Sequence, residues 1–126
     1  MQVETNAEPA ELCASRKVLD RIGDTWSLLI VGTLADGSLR YTELAKRVTG
    51  VSPKMLTQTL RGLERDGLVG RTVHAVVPPR VDYELTKLGR SLLEPVSGIG
   101  LWARQNREHI EEARRRFGTT AGAGKS

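Results

Sequence analysis

The hydrophobic period shifts from helical to alternating near residue 67 and back near residue 86, and that shift limits the available folds more than any other feature. Apolar residues at steps of three and four belong to helices; strict alternation belongs to half-buried strands. Tyr41, Leu44, Ala45 and Val48 predict a short helix closing at Thr49-Gly50. Ser52 caps the next helix, with Pro53 in its first turn, where proline gives up only an amide that has no partner anyway. The stripe of that helix is Leu56, Leu60 and Leu63, and Asp66-Gly67 ends it. Gly62 inside it costs about 1 kcal/mol relative to alanine, and nothing in the sequence explains it. Residues 41–66 therefore read as helix, glycine-containing turn, helix. Residues 68–75 and 80–85 are rich in β-branched and alternating residues, with Pro78-Pro79 between them, and predict a two-stranded ribbon with an irregular tip.

Helical patterns flank this segment. Leu12, Leu19 and Ile22 mark a first amphipathic helix ending at Gly23, and Asp24 is a good N-cap for a second. There Trp26, Leu29, Ile30, Thr33 and Leu34 form a stripe, and Leu28 and Val31 make the helix apolar nearly all round, as for a helix packed on several sides. Thr86 caps a long final helix carrying Leu88, Leu92, Val96, Ile99, Ala103, Asn106, Ile110, Ala113 and Phe117, which Pro95 should kink or interrupt. Residues 1–10 read as a flexible arm and residues 118–126 as a disordered tail, both small, polar and aperiodic, leaving residues 11–117 as the domain. The expected class is mainly α with a small β-ribbon.

Composition narrows the function. The 126 residues suit one domain, and 39% hydrophobic residues suffice for a core but not for a membrane protein. No apolar run approaches the roughly 18 residues of a bilayer span, and the acidic, polar start is no signal peptide. Cys13 is the sole cysteine and the two histidines are far apart, so no internal disulfide, metal site or cofactor is expected, and a reducing cytoplasm is the default address. No nucleotide loop or triad spacing supports an enzyme, and His109 lies on a charged helix where it is better read as solvated. A net charge of +4 permits a nucleic-acid partner without demanding one. The distribution is more telling: residues 1–12 carry −3, whereas residues 54–80 carry Lys54, Arg61, Arg65, Arg71 and Arg80 against Glu64 and Asp66.

If Leu56, Leu60 and Leu63 face the core, then Ser52, Pro53, Lys54, Thr57, Gln58 and Arg61 lie toward the outer face or the leading end of that helix. Gln58 can bond adenine edges, Lys54 and Arg61 can reach guanine or phosphate, and Thr57 can touch a thymine methyl or a phosphate. Amides at the start of this helix suit a phosphate. The plain alternative is an amphipathic helix with a solvated outer face. On the ribbon, Arg80 follows two prolines and suits insertion into a narrow minor groove, with Arg71 and His74 placed for phosphates. Alternatively, Arg80 is a surface arginine paired with Asp82 or Glu84.

Several blocks in order carry a family resemblance: residues 22–30 (IGDTWSLLI), 40–44 (RYTEL), 51–57 (VSPKMLT), 60–69 (LRGLERDGLV) and 77–89 (VPPRVDYELTKLG). Across residues 13–105 the chain resembles the HxlR family of bacterial transcriptional regulators. The resemblance implies a dimeric winged helix-turn-helix protein related in fold to the MarR regulators, dimerising through its first and last helices and most often repressing. It also implies a cysteine near the start of the first helix, matched by Cys13, which in some members senses oxidants or electrophiles. Two positions depart from the family: Ala14 stands where proline is usual, and Asp24-Thr25 where Gly-Lys is favoured, which removes a base that could meet phosphate.

The stripe from Leu88 to Phe117 is too long for a core of this size to cover, which independently points to an interface. Leu12, Leu92, Val96, Ile99, Trp102 and Ile110 are its candidate residues, with Leu101 beside Trp102. A twofold dimer would set two recognition helices about 34 Å apart and read a palindromic duplex. Arg16 and Lys17 lie three and four residues after Cys13 and could stabilise a thiolate, while Glu11 opposes them and a small buried cysteine is the plain alternative. A small-molecule pocket between the long helix and Trp26 or Trp102 is a competing route for a signal. A winged-helix module that binds a protein instead of DNA is the rival function, and steep salt dependence would separate the two.

Overall fold

The computed structural model describes residues 9–124, with side chains to residue 119. Its elements are α1 (Pro9–Ala14), α2 (Arg16–Ile22), α3 (Thr25–Thr33) with a 3-10 turn at Leu34–Asp36, β1 (Leu39–Arg40), α4 (Tyr41–Arg47), α5 (Pro53–Arg65), β2 (Val69–His74), β3 (Arg80–Leu85), α6 (Lys87–Arg90) and α7 (Leu93–Gly124). This is the expected mainly helical winged helix-turn-helix with a small sheet. The chain divides into two compact units, Met1–Leu93 and Glu94–Ser126.

Side-chain caps set the helix starts where the sequence predicts them. The Asp24 carboxylate accepts from the Ser27 amide at 3.2 Å, Ser52 Oγ from the Met55 amide at 3.1 Å, and Thr86 Oγ1 from the Gly89 amide at 3.0 Å. Each takes up one of the amides a helix start leaves unpaired, worth about 1 kcal/mol. The turn between α4 and α5 passes through Gly50 at φ +90°, a conformation that costs other residues strain. The core of the first unit is Ile30, Val31 and Leu34 from α3 and its following turn, Leu44 and Val48 from α4 and its C-cap, Leu56, Leu60 and Leu63 from α5, and Leu68, Val69 and Leu85 at the root of the hairpin. Burying each such side chain contributes roughly 1.5–3 kcal/mol, so α5 is fixed from behind by its leucine stripe.

Five expectations change. The ribbon is part of a three-stranded antiparallel sheet ordered β1-β3-β2, because residues 39–40 pair with Tyr83 and Asp82; two residues are too few for alternation to reveal. The first helix is two, broken at Ser15, and neither α1 nor α2 contains a buried residue. Of the stripe expected on α3, Ile30 and Leu34 are buried, but Trp26 and Thr33 are only half-buried and Leu29 is exposed, while Ser27 and Val31 complete the inward face, so α3 is not packed all round. Ser27 can be buried because its hydroxyl donates to Asp24 at 2.9 Å. The helix begun by Thr86 stops at Arg90 and restarts at Leu93, which places Pro95 in the first turn of α7, where no ladder bond is lost. Finally, α7 continues to Gly124 instead of ending at Phe117, although Gly118, Thr119, Thr120, Gly122 and Gly124 are poor helix formers, because extending an existing helix needs only one backbone bond per added residue. Most of the arm, residues 1–8, and the last two residues of the tail lie outside the described residues.

Candidate nucleic-acid interface

The leucine face of α5 turns its opposite side to solvent. Ser52, Pro53, Lys54, Gln58 and Arg61 are all exposed. Lys54 and Arg61 make no ion pair, and Gln58 no side-chain hydrogen bond, among the described residues; their donors are unspent. Thr57 differs, being half-buried with its Oγ1 3.3 Å from the Tyr41 hydroxyl. The same tyrosine donates to the Pro53 carbonyl at 3.4 Å. Tyr41 thus ties the start of α4 to the first turns of α5, and Thr57 serves that joint as well as the outer face. In the sequence Tyr41 reads only as part of a helical stripe, because a hydroxyl reaching across a turn leaves no local pattern.

Charge pairing dominates the hairpin. Arg71 Nε lies 3.4 Å from Glu64 Oε2, which links β2 to α5. His74 and Arg80 face each other across the ladder and converge on one carboxylate. His74 Nε2 is 3.0 Å from Asp82 Oδ2, Arg80 Nε is 3.4 Å from Oδ1, and the Arg80 guanidinium donates to Oδ2 at 3.4 Å. Arg80 Nε and Asp82 Oδ1 are both buried and form no hydrogen bond, so charge alone holds that contact. Of the two partners open to Arg80, Asp82 is the one it has. The tip beyond is apolar and bare: Val77 is 99% exposed, which its position among prolines did not suggest.

Between α5 and the hairpin lies a polar cavity of about 480 Å³ lined by Thr57, Arg61, Glu64, Arg65, Arg71 and Tyr83. Three guanidiniums face one carboxylate there, a balance that suits an anion. Arg65, four residues after Arg61, joins the site through the helical repeat and was legible only as part of the basic run. Burial raises the Tyr83 hydroxyl above its ordinary value of 10.0; Arg71 opposes this most, Glu64 and Tyr41 add to it, and Arg61 opposes it.

The remaining candidates lie elsewhere. Leu12 on α1 and Ile99, Trp102 and Ile110 on α7 are exposed, while Leu92 and Val96 are half-buried. Cys13 is exposed on α1, not a small buried residue. Val18, Leu19, Leu29 and Leu88 are further exposed apolar residues of the first unit. Among the described residues no group of His, Cys, Asp and Glu could hold a metal ion, and no helix is long and apolar enough to cross a membrane.

The model of the HxlR-like helix-turn-helix family matches residues 21–111. The HTH-type transcriptional regulator YtfH of Escherichia coli (strain K12) is 42% identical over 97 residues, 77% of each chain. Among solved structures, the transcriptional regulator ytfH from Salmonella typhimurium superimposes with TM-score 0.74 at 39% identity, covering 80% of this chain and 90% of that one. The redox regulator HypR in its oxidized form gives TM-score 0.69 at 37% identity, covering 75% of this chain and 97% of that one.

Proposed function

The chain belongs to the HxlR-like helix-turn-helix family of transcriptional regulators, and from that premise we propose that it represses transcription as a homodimer bound to a palindromic DNA operator. The observation that carries this reading is the outer face of α5, where Lys54, Gln58 and Arg61 stand exposed and without partners among the described residues. In the proposed complex α5 enters the major groove, Gln58 and Arg61 meet base edges, and Lys54 and Ser52 meet phosphates near the helix start. The arginine-lined cavity beside α5 takes a backbone phosphate. Arg80, held by Asp82 near the tip of the hairpin, is the wing residue that reaches the minor groove. Leu12, Leu92, Val96, Ile99, Trp102 and Ile110 form the homodimer contact.

The experiment is selection of bound fragments from genomic DNA, followed by titration of the recovered duplex at several salt concentrations. A palindromic consensus and a log–log salt slope of about −0.9 per phosphate contact support the reading. Failure to retain any duplex at low salt would sink it. Similarity to the redox regulator HypR, together with the exposure of Cys13, supports oxidant control through that thiol. On this view oxidant changes operator affinity in the native protein and leaves a Cys13→Ser protein unaffected; an equal response in both removes Cys13 from the proposal.

A further inference from the structure

Gly62 is buried in the middle of α5, and the reason lies on another helix. A Cβ at this position would stand 2.2 to 2.6 Å from the guanidinium atoms of Arg21, so the missing side chain is the space Arg21 occupies. From that notch Arg21 Nε donates to Asp66 Oδ2 at 2.9 Å, at the C-cap of α5, where a cation also meets the negative end of the helix. Its side chain is only 19% exposed. By contrast, α1 and α2 bury no residue at all, so apolar packing does not hold them as it holds α5. The polar latch through Gly62 is therefore a direct tie between α2 and the recognition helix, beside the indirect one through α3, on which both pack.

We infer that Arg21 is a positioning residue that fixes α1 and α2 against α5 and thereby sets how far apart two recognition helices stand. The inference rests on the dimer reading above, in which α1 lies at the twofold contact. If the N-terminal helices are clamped to α5, the dimer presents its two reading heads at one separation and one relative angle. Inserting one base pair between half-sites moves one of them by about 3.4 Å and turns it by roughly 34°, a mismatch a clamped dimer rejects and an unlatched one follows.

The test uses the full-length protein and the palindromic duplex recovered by selection, together with versions carrying one or two extra central base pairs and an unrelated duplex. Wild type is expected to prefer the native spacing by about tenfold or more, the order of a mismatched base pair. Arg21→Ala and Gly62→Ala are each expected to bring that preference to within about threefold while dimerisation and affinity for unrelated duplex stay unchanged. Gly62→Ala is the decisive variant, because it keeps every charge, improves helix propensity and expels only the guanidinium. Its melting temperature should hold or rise as spacing discrimination falls, a combination that simple damage to the fold does not produce. Arg21→Ala combined with Asp66→Asn should lose no more discrimination than Arg21→Ala alone. Wild-type discrimination retained in Gly62→Ala, or additive loss in the double variant, overturns the inference and leaves the DNA-binding reading intact. A wild-type protein that is monomeric, or that binds no duplex, overturns both.

Discussion

Single atoms decide several features of this molecule. Gly89 in α6 is the tightest: a Cβ there would stand 2.0 Å from the Leu68 carbonyl oxygen, a backbone atom that cannot swing aside as the Arg21 guanidinium can. Gly89→Ala is therefore expected to lower stability by about 1–3 kcal/mol, as overpacking does, read from the urea midpoint at unchanged slope. An unchanged midpoint would show that α6 is free to move off the hairpin root. Tyr83 gives a pH prediction. Its hydroxyl is raised above 10.0 by burial, so in that range the folded state holds a proton the unfolded state gives up. The stabilising contribution is complete below pH 10.0 and is lost as pH rises through the higher folded value. Tyr83→Phe should flatten that alkaline fall in melting temperature, and an equally steep fall in both proteins refutes the assignment. The sequence reveals some of these residues and hides others for one physical reason. Asp24, Ser52 and Thr86 cap amides within three residues, so local spacing displays them. The use of Gly62 depends on Arg21, and the setting of Gly89 on Leu68, partners more distant along the chain.

At the scale of elements, α5 is the most legible part of the molecule, because one repeat determines both its leucine face and the outward direction of Lys54, Gln58 and Arg61. The hairpin is less so. Its two long strands alternate visibly, but β1 adds a third through two residues, and the roles of Arg80 and His74 depend on which carboxylate they meet. A charge drawn to Asp82 is weaker as a phosphate attractor and better fixed as a probe of groove width. These elements should fail in different ways when altered. Gln58→Ala should relax base preference at one position of each half-site, losing about 1–3 kcal/mol of discrimination, while the salt slope stays the same. Lys54→Ala should weaken binding to all sequences alike and reduce the slope by about 0.9 per protomer. Titrations of both variants against the selected duplex and its single-base variants separate the two effects. A Gln58→Ala protein with native base preference would move sequence reading to other residues of α5.

Across the whole molecule, the question is why a regulator of this size carries a helix as long as α7. Its 32 residues extend about 48 Å, more than covering a core of this size requires. Ile99, Ile110 and Phe117 fall within about 20° of one another around that helix, and all three are exposed, as is Trp102 beside them. Leaving such a row in water forgoes about 25 cal/mol per Å² of apolar surface, a loss that a second copy can recover along its length. The proposed dimer also explains how a modest net charge suffices for DNA: each protomer brings its own α5 and hairpin, so the phosphate contacts double. The double substitution Trp102→Gln with Ile110→Gln tests both points at once, since it is neutral in charge and compatible with helix. It should convert the protein to a monomer in sedimentation velocity while circular dichroism keeps its helical signal. It should also halve the log–log salt slope of duplex binding, because half the phosphate contacts are lost with the partner. A variant that stays dimeric places the interface away from this row. A monomer that keeps the full slope would show that one copy makes every phosphate contact, and the palindromic operator would have to be abandoned.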